Sequence, residues 1–266
     1  MIIKKILLSL LLASTVSLSG CMSWAAAYVM EQENQMEQAA RQAEGQEAVA
    51  DKEEAEVPLN VILVIGDGMG VAQVYSSVVA SLGNNSAFLR FPYSGFSRTY
   101  SRNKYRTDSS AGGTALTTGH KVDNYHVNWG PDSTRYNTIF DDAKQYGMST
   151  GFVVTSSVLD ATPAATYGHV PYRKQFDTLS LQMAQCSHNV MIGGGRKYFL
   201  PENRKDGLAP LDTLAKRGYT VVNTLDALTR FAGDSLVALL YDGDPLTAPA
   251  RGNVLEMATK KALAML

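Results

Sequence analysis

The sequence predicts an α/β domain with a mostly parallel central sheet and helices on both faces. Helical and strand patterns alternate along the chain from about residue 59 onward. The strand patterns are short, continuous apolar runs, which are typical of strands buried on both faces. The chain has 266 residues, of which 45% are hydrophobic and 18% charged, enough for one sizeable core.

The elements follow in chain order from that alternation. We expect a strand from Val61 to Ile65, where an unbroken apolar run ends at Gly66, and a helix in VAQVYSSVVASL directly after it. Further helices are predicted in TIFDDAKQYG, in the first part of LDTLAKRGYTVVN and in NVLEMATKKALAML. Further strands are predicted in STGFVVTSS, NVMIGGG, the end of LDTLAKRGYTVVN and SLVALLY. In such sheets, ligands bind beyond the carboxyl ends of the strands.

The charge balance limits the class of partner. Twenty-four basic and twenty-five acidic residues give a formal net charge of -1. Because no chain-wide positive field exists, we expect no nucleic-acid partner. Any anion must therefore be bound by local groups.

The first 58 residues have patterns that predict export and attachment to a membrane, and not a folded core. Residues 1–20 join a basic start, MIIKK, to an apolar stretch too short for a comfortable membrane span, as in a signal peptide. LSGC resembles the bacterial lipobox and predicts a lipoprotein anchored through Cys21 to a membrane of the cell envelope; a secretory signal with a chance cysteine is the alternative. Residues 21–58, rich in Ala, Glu and Gln, predict a polar tether or, alternatively, a partner-binding helix.

Asp67 follows the first predicted strand, in GDGMG, between two glycines that allow a tight turn. A carboxylate at the end of a buried strand suits a metal site. It suits a helix N-cap equally well, and both interpretations stay open. The spacing of a G-x-G-x-x-G dinucleotide site is absent from this segment.

RTDSSAGGTALTTGH, residues 106–120, concentrates small hydroxyl residues and glycines. One interpretation is a solvated loop. The other is a helix with Asp108, Ser109 and Ser110 at its N-terminus, where free amides favour an anion. A serine nucleophile needs a base or a metal, and neither a G-x-S-x-G elbow nor a supporting histidine spacing occurs, which favours a metal.

The segment DATPAATYGHVPYRK adds further candidate ligands. Asp160 and Thr162 offer two oxygen ligands of the kind magnesium prefers, directly after a predicted strand. The planar fork of Arg173 suits two oxygens of a phosphate. The alternatives are that Asp160 and Thr162 cap a helix beginning near Pro163, and that Arg173 is a surface charge.

These three segments together resemble the site motifs of the alkaline phosphatase family. NVILVIGDGMG, TDSSAGGTALTTG and DATPAATYGHVPYRK occur in the family's order, and the resemblance runs from about Leu59 to the end of the chain. It implies that residues 59–266 are the N-terminal portion of such a domain. It further implies hydrolysis of small phosphate monoesters through a phosphoserine, two Zn²⁺ and one Mg²⁺, and a homodimer in the complete form.

The resemblance also assigns roles residue by residue. Asp67 would bridge one zinc and the magnesium, and Ser109 would be the nucleophile coordinated by that zinc. Asp108 would orient Arg173, which would bind the phosphate oxygens. The further magnesium ligands would be Asp160 and Thr162.

The chain departs from the family pattern because the downstream metal motifs are not in it: a glutamate, a D-x-x-x-H pair, a D-H pair and a final histidine. We therefore expect an incomplete fold, poor zinc binding and little activity from these 266 residues. The alternative function is a non-catalytic phosphate-binding or inert remnant. A related phosphodiesterase or sulfatase is a weaker interpretation, because TDSSAGG matches the phosphatase nucleophile motif and C-x-P-x-R is absent. We also expect the last helix to offer an apolar face to a partner outside this sequence, formed by Val254, Met257, Ala258, Ala262 and Leu266.

Overall fold

The structure is a computed structural model that describes residues 60–81 and 86–266. The chain divides into two units, Met1–Val64 and Ile65–Leu266. In the first unit, residues 60–64 are described, and they form neither helix nor strand. The predicted signal peptide, the lipidation site at Cys21 and the predicted tether lie outside the described residues.

The second unit alternates helices and strands. Its strands are β1 (Gly151–Ser157), β2 (Val190–Gly194), β3 (Thr220–Val222) and β4 (Leu236–Tyr241). Its helices are α1 (Val71–Ala80), α2 (Ser109–Thr118), α3 (Ile139–Gln145), α4 (Ala161–Ala164), α5 (Phe176–Gln185), α6 (Pro210–Lys216), α7 (Leu225–Arg230), α8 (Ala248–Arg251) and α9 (Val254–Met265). Short 3₁₀ turns cover Ala87–Arg90, Arg196–Phe199 and Pro201–Asn203. The predicted elements from residue 71 onward are confirmed, and α5, α7 and α8 are additions to them.

The four strands form one parallel sheet in the order β1-β2-β4-β3. Gly151 pairs with Val190, Val190 with Leu236, and Leu236 with Thr220, so the strands start at one edge. Parallel neighbours need a crossover connection, and the intervening helices provide it. All the carboxyl ends therefore meet at the opposite edge, as the sequence predicts.

A hydrophobic core lies on each face of this sheet. Successive residues of the two central strands alternate between the faces, since Met191 and Val237 belong to one cluster and Ile192 and Ala238 to the other. Helices α5 and α6 close the first cluster, and α7 and α9 close the second. The predicted parallel sheet with helices on both faces is confirmed.

The predicted strand from Val61 to Ile65 is wrong. These residues are outside every strand, and the side chains of Val61 and Val64 are 72% and 82% exposed. A strand is defined by backbone bonds to a neighbouring strand, and residues 60–64 of the first unit are in no strand. An apolar run shows that a segment is hydrophobic, but it does not by itself show that the segment is a buried strand.

The prediction for the apolar face of α9 is also wrong in part. Ala258 and Ala262 are buried in the second cluster, against the sheet of this same chain. Their small side chains let the helix lie close to the sheet, so that this part of the face is covered internally. Leu266 stays exposed. Among the described residues, no helix combines the length and apolar character needed to cross a membrane.

Candidate active site

Asp67 lies in a tight turn just before α1. The amide of Met69 donates to the carbonyl of Gly66 at 3.0 Å, and Gly68 has a φ of 68°, a left-handed conformation that glycine adopts without steric cost. The N-cap of α1 is Gly70. The helix-cap interpretation of Asp67 is therefore wrong, and its carboxylate is left to contact other segments.

The stretch 106–120 contains a helix and not a solvated loop. Asp108 is the N-cap of α2, since its Oδ1 accepts from the amide of Ala111 at 3.0 Å. Gly119, with a φ of 73°, ends the helix in the left-handed conformation. Ser109 is thus the first residue of the helix, beside the free amides of its first turn.

Small residues in α2 allow it to pack closely against α4 and the residues after it. A β-carbon at Gly113 would lie 2.9 Å from the β-carbon of Ala165, closer than such atoms approach in proteins. The hydroxyl of Thr117 donates to the carbonyl of Ala165 at 2.9 Å, which satisfies a buried backbone acceptor. The concentration of glycine and threonine therefore has a packing function. It brings the start of α2 next to the start of α4.

Helix α4 begins beyond the carboxyl end of β1. Asp160 is its N-cap, with Oδ1 accepting from the amide of Ala161 at 2.8 Å. The cap interpretation is therefore correct for Asp160. It does not exclude a site role, because the same Oδ1 also accepts from Arg173.

Asp67 joins the three sequence segments. Its Oδ1 accepts from the hydroxyl of Ser109 at 3.0 Å, and its Oδ2 accepts from the hydroxyl of Thr162 at 2.7 Å. The three residues come from the turn before α1, the start of α2 and the first turn of α4. Residues 42 and 95 positions apart in sequence are thus in direct contact.

Arg173 is held between two carboxylates and is not a free surface charge. Its Nη1 donates to Oδ2 of Asp108 at 3.1 Å, and its Nη2 donates to Oδ1 of Asp160 at 2.8 Å. Burial alone would lower the pKa of Arg173, but the bonds to Asp160 and Asp108 raise it above its usual value. The guanidinium therefore stays charged and keeps a fixed orientation.

Ser110 is a site residue to which the sequence assigned no role. It is fully buried, and its hydroxyl donates to Oδ2 of Asp108 at 2.5 Å, the oxygen that also accepts from Arg173. Burial would raise the pKa of Asp108, but hydrogen bonds from Ser110, the amides of Ala111 and Tyr125, and Arg173 outweigh it and lower the pKa. A hydroxyl residue two positions after an N-cap aspartate is the signal that sequence reasoning missed.

The oxygen atoms around Asp67 fit a hard cation in part. Two neighbouring ligands of an octahedral magnesium ion, each about 2.1 Å from it, lie about 3 Å apart. The distances from Asp67 to Ser109 and Thr162 match that spacing. Both partners of Asp67 are neutral hydroxyls, so nearby positive charge would be favourable.

The same residues fit zinc less well. In the range 60–81 and 86–266, no three His, Cys, Asp or Glu side chains are grouped so that they could hold a metal. The four histidines make their contacts with groups outside the network around Asp67. The described residues therefore offer magnesium-type oxygen ligands, without the nitrogen or sulfur ligands that zinc usually takes.

Comparisons with known proteins agree with this geometry. The sequence model of the family described as Alkaline phosphatase matches residues 59–244. Alkaline phosphatase 4 of Bacillus subtilis (strain 168) is 33% identical over 212 residues, covering 74% of this chain and 45% of that protein. The structure of alkaline phosphatase from the Antarctic bacterium TAB5 has a TM-score of 0.73 and 31% identity, covering 79% of this chain and 62% of that one. A substituted form of the TAB5 enzyme, 32% identical with a TM-score of 0.72, has magnesium bound; the match covers 79% of this chain and 60% of that one.

The matched region is a larger share of this chain than of its relatives. The chain spans less than half the length of the B. subtilis protein and about three fifths of the TAB5 structure. The family match nevertheless covers most of the present chain and includes all three site segments. The chain belongs to the alkaline phosphatase family.

Proposed function

We propose that this protein hydrolyses phosphate monoesters through a phosphoserine formed on Ser109. The observation that carries the proposal is a hydrogen-bonded network that joins one predicted residue from each of three separate segments. In it, Asp67 contacts Ser109 and Thr162. The family match supports the same reaction class.

The proposed reaction has two steps at Ser109. In the first, Oγ attacks phosphorus, an Oγ–P bond forms, and the P–O bond to the alcohol breaks; the alcohol leaves with a proton. In the second, water cleaves the phosphoserine and releases inorganic phosphate, which restores the hydroxyl. The hydrogen bond to Asp67 Oδ1 orients the serine hydroxyl before the attack.

Arg173 is the proposed phosphate-binding residue. A guanidinium has five N–H donors, and two of those of Arg173 are used by carboxylates of the described residues. The remaining donors are available to phosphate oxygens. Asp108 and Asp160 fix the plane of the group, so less rotamer freedom is lost when the substrate binds.

We further propose that metal ions complete the site. Asp67, Asp160 and Thr162 would hold magnesium, and Asp67 and Ser109 would contribute to zinc binding. When bound, these ions would supply positive charge that favours the deprotonated serine and offsets the phosphate charge. Without them, the site residues carry three carboxylates, two of them paired with Arg173, and one guanidinium, a charge balance that would repel a phosphate dianion.

The proposed cellular setting is the bacterial envelope. Residues 1–20 would act as the export signal, Cys21 would carry the lipid, and residues 21–58 would form the tether to residues 59–266. The substrates would be small phosphate monoesters, and the protein would be a homodimer. These parts of the proposal rest on the sequence and on the family resemblance.

The test is phosphate trapping in the purified protein. The protein is incubated with magnesium, zinc and radiolabelled inorganic phosphate, quenched in acid, and its phosphopeptide is mapped. We expect the label on Ser109, none in Ser109→Ala, and retained label in Ser110→Ala. Turnover of a chromogenic phosphate monoester should fall by at least about 1000-fold in Ser109→Ala and far less in Ser110→Ala.

The alternative function, phosphate binding without hydrolysis, gives a different result. Phosphate would then bind with an affinity that Arg173→Ala weakens, while no label or turnover appears in the wild-type protein. We keep this alternative because the described site has oxygen ligands and no histidine nearby. Label on Ser110 in the wild-type protein would overturn the assignment of the nucleophile.

A further inference from the structure

Tyr125 has a strained backbone next to the phosphate-binding residues. Its φ is 74°, in the left-handed region, where a bulky aromatic residue is disfavoured by contact between its β-carbon and the following carbonyl. Such conformations persist where neighbouring groups hold them, and they cluster at ligand sites. The strain therefore needs an explanation from the surroundings of Tyr125.

Those surroundings are the two residues of the proposed phosphate clamp. The carbonyl of Tyr125 accepts from the amide of Arg173 at 2.8 Å, and the amide of Tyr125 contributes to the hydrogen bonding of Asp108. The side chain of the preceding Asn124 accepts from the amide of Asp108 at 3.1 Å. The backbone at Tyr125 is thus fixed relative to Asp108 and Arg173 from both sides.

The ring of Tyr125 lies beside the ring of Tyr172. Their centroids are 6.2 Å apart at an interplanar angle of 55°, a tilted aromatic pair. The two residues are 55% and 46% exposed, so the rings are not core residues. Tyr172 directly precedes Arg173 in the sequence, and the carbonyl of Tyr125 is bonded to the amide of Arg173, so both rings belong to residues joined to the phosphate-binding residue through the backbone.

Core packing does not account for these two tyrosines. Many other aromatic side chains of this chain are exposed, and a single exposed ring needs no explanation. This pair differs because the rings contact each other and one of them sits on a strained backbone that is bonded to the clamp. A substrate held by Arg173 would extend its organic group away from the phosphate, and the neighbouring rings offer an apolar, flat surface to it.

We propose that Tyr125 and Tyr172 form an aromatic rim that contacts the organic group of the substrate and favours phosphate monoesters carrying a flat ring. This inference rests on the proposed function, since it assumes that phosphate binds at Arg173. A nucleobase or aryl group would stack on or pack against the rim, whereas a purely aliphatic sugar would gain less.

The test compares adenosine 5′-monophosphate with ribose 5-phosphate, which share the phosphate and the sugar and differ in the base. Affinities are measured by calorimetry in the Ser109→Ala background with magnesium and zinc present, so that phosphate can bind and no turnover occurs. We expect adenosine monophosphate to bind about five-fold or more tightly, which corresponds to about 1 kcal/mol. Tyr125→Leu with Tyr172→Leu should reduce the preference to about one, with ribose 5-phosphate affinity unchanged.

Two further variants separate contact from general stability. Tyr146→Leu removes an exposed tyrosine that follows α3, and it should leave the preference intact. Tyr125→Gly removes the ring and relieves the strained φ, so it should lose preference while the unfolding midpoint rises or stays constant. A lower midpoint in this variant would contradict the strain argument.

The outcomes distinguish this inference from the proposed function. The aromatic rim alone is overturned if the protein with both tyrosines binds the two ligands equally well. It is also overturned if the preference for adenosine monophosphate survives in the double leucine variant. If the protein with Ser109 intact binds both ligands but hydrolyses neither, the proposed hydrolysis is overturned. The rim is still supported in that case if adenosine monophosphate binds more tightly. Binding of neither ligand overturns both.

Discussion

His188 is a buried histidine that the candidate site does not use. Three aromatic side chains present rings edge-on to it, and both ring nitrogens lie within 3.1 Å of threonine hydroxyls. Burial lowers its pKa from 6.5 to about 4, because the charged imidazolium would lose its hydration. The neighbouring rings are those of Phe140, Phe152 and Tyr167, and the hydroxyls are those of Thr150 and Thr166.

This burial makes the stability of the folded chain depend on pH. Below pH 6.5 the unfolded chain binds a proton at His188 that the folded chain does not take up until about pH 4. Stability should therefore fall as the pH drops from 6.5 to 4, by about 2 to 3 kcal/mol from this residue. The measurement is the free energy of unfolding in urea at pH 7.5, 5.5 and 4.5.

Two variants isolate the contribution of His188. His188→Gln should lower stability at pH 7.5, because it disturbs the buried contacts, yet it should show a smaller loss toward pH 4.5 than the wild-type protein. His120→Gln, at an exposed histidine, should keep the wild-type pH profile. A difference between His188→Gln and wild type that is constant with pH would contradict the argument.

Single residues of the candidate site were predictable where a motif carried them. Asp67, Ser109 and Arg173 stand in recognisable segments. The structure bonds Asp67 to Ser109 and Thr162, and it bonds Arg173 to Asp108 and Asp160. Ser110 and Tyr125 were not predictable in the same way. Their roles depend on a shared acceptor oxygen and on a backbone conformation, which are properties of three-dimensional contact and not of spacing.

At the level of elements, the contact between α2 and the segment after α4 positions Ser109. A β-carbon at Gly113 would meet the β-carbon of Ala165 at 2.9 Å, and neither side has a flexible chain that could move away. Gly113→Ala should therefore force the two segments apart and lower stability by about 1 to 3 kcal/mol. The measurement is the urea midpoint, together with phosphate affinity as a report on the displaced α2.

Gly112 provides a matched control on the same helix. A β-carbon there would lie 3.5 Å from the nearest side-chain atom, of Thr107, which is ordinary contact. Gly112→Ala should be neutral or stabilising by up to about 1 kcal/mol, because alanine loses less backbone entropy in a helix. Equal effects of the two substitutions would show that close packing is not the reason for glycine at 113.

Elements were predictable where periodicity and burial agreed. The apolar runs of β2 and β4 predicted strands correctly. Each of these strands has a neighbouring strand on both sides and a hydrophobic core on both faces, which is the environment that an apolar run suits. The run from Val61 to Ile65 is similarly apolar but lies in no strand. Composition indicates that a segment can be buried, whereas pairing depends on which neighbours are present.

For the molecule as a whole, this exposed run has a consequence in solution. Residues 57–66 contain no charged side chain, and residues 61–65 are all β-branched or leucine. Uncharged segments of high β-propensity with exposed backbone groups tend to pair with other chains. We therefore expect the 266-residue chain to self-associate through this run.

Substitution of two exposed positions in the run tests that expectation. Val61→Lys with Val64→Lys should reduce the apparent mass in sedimentation velocity, because charges at both positions oppose strand pairing between chains. The unfolding midpoint should change little, since both side chains are exposed. Leu255→Lys with Leu263→Lys is the control, because these leucines are exposed on α9, a helix that cannot add a strand. An equal reduction of mass by the control would assign the association to general surface hydrophobicity, and a monomeric wild-type chain would contradict the prediction outright.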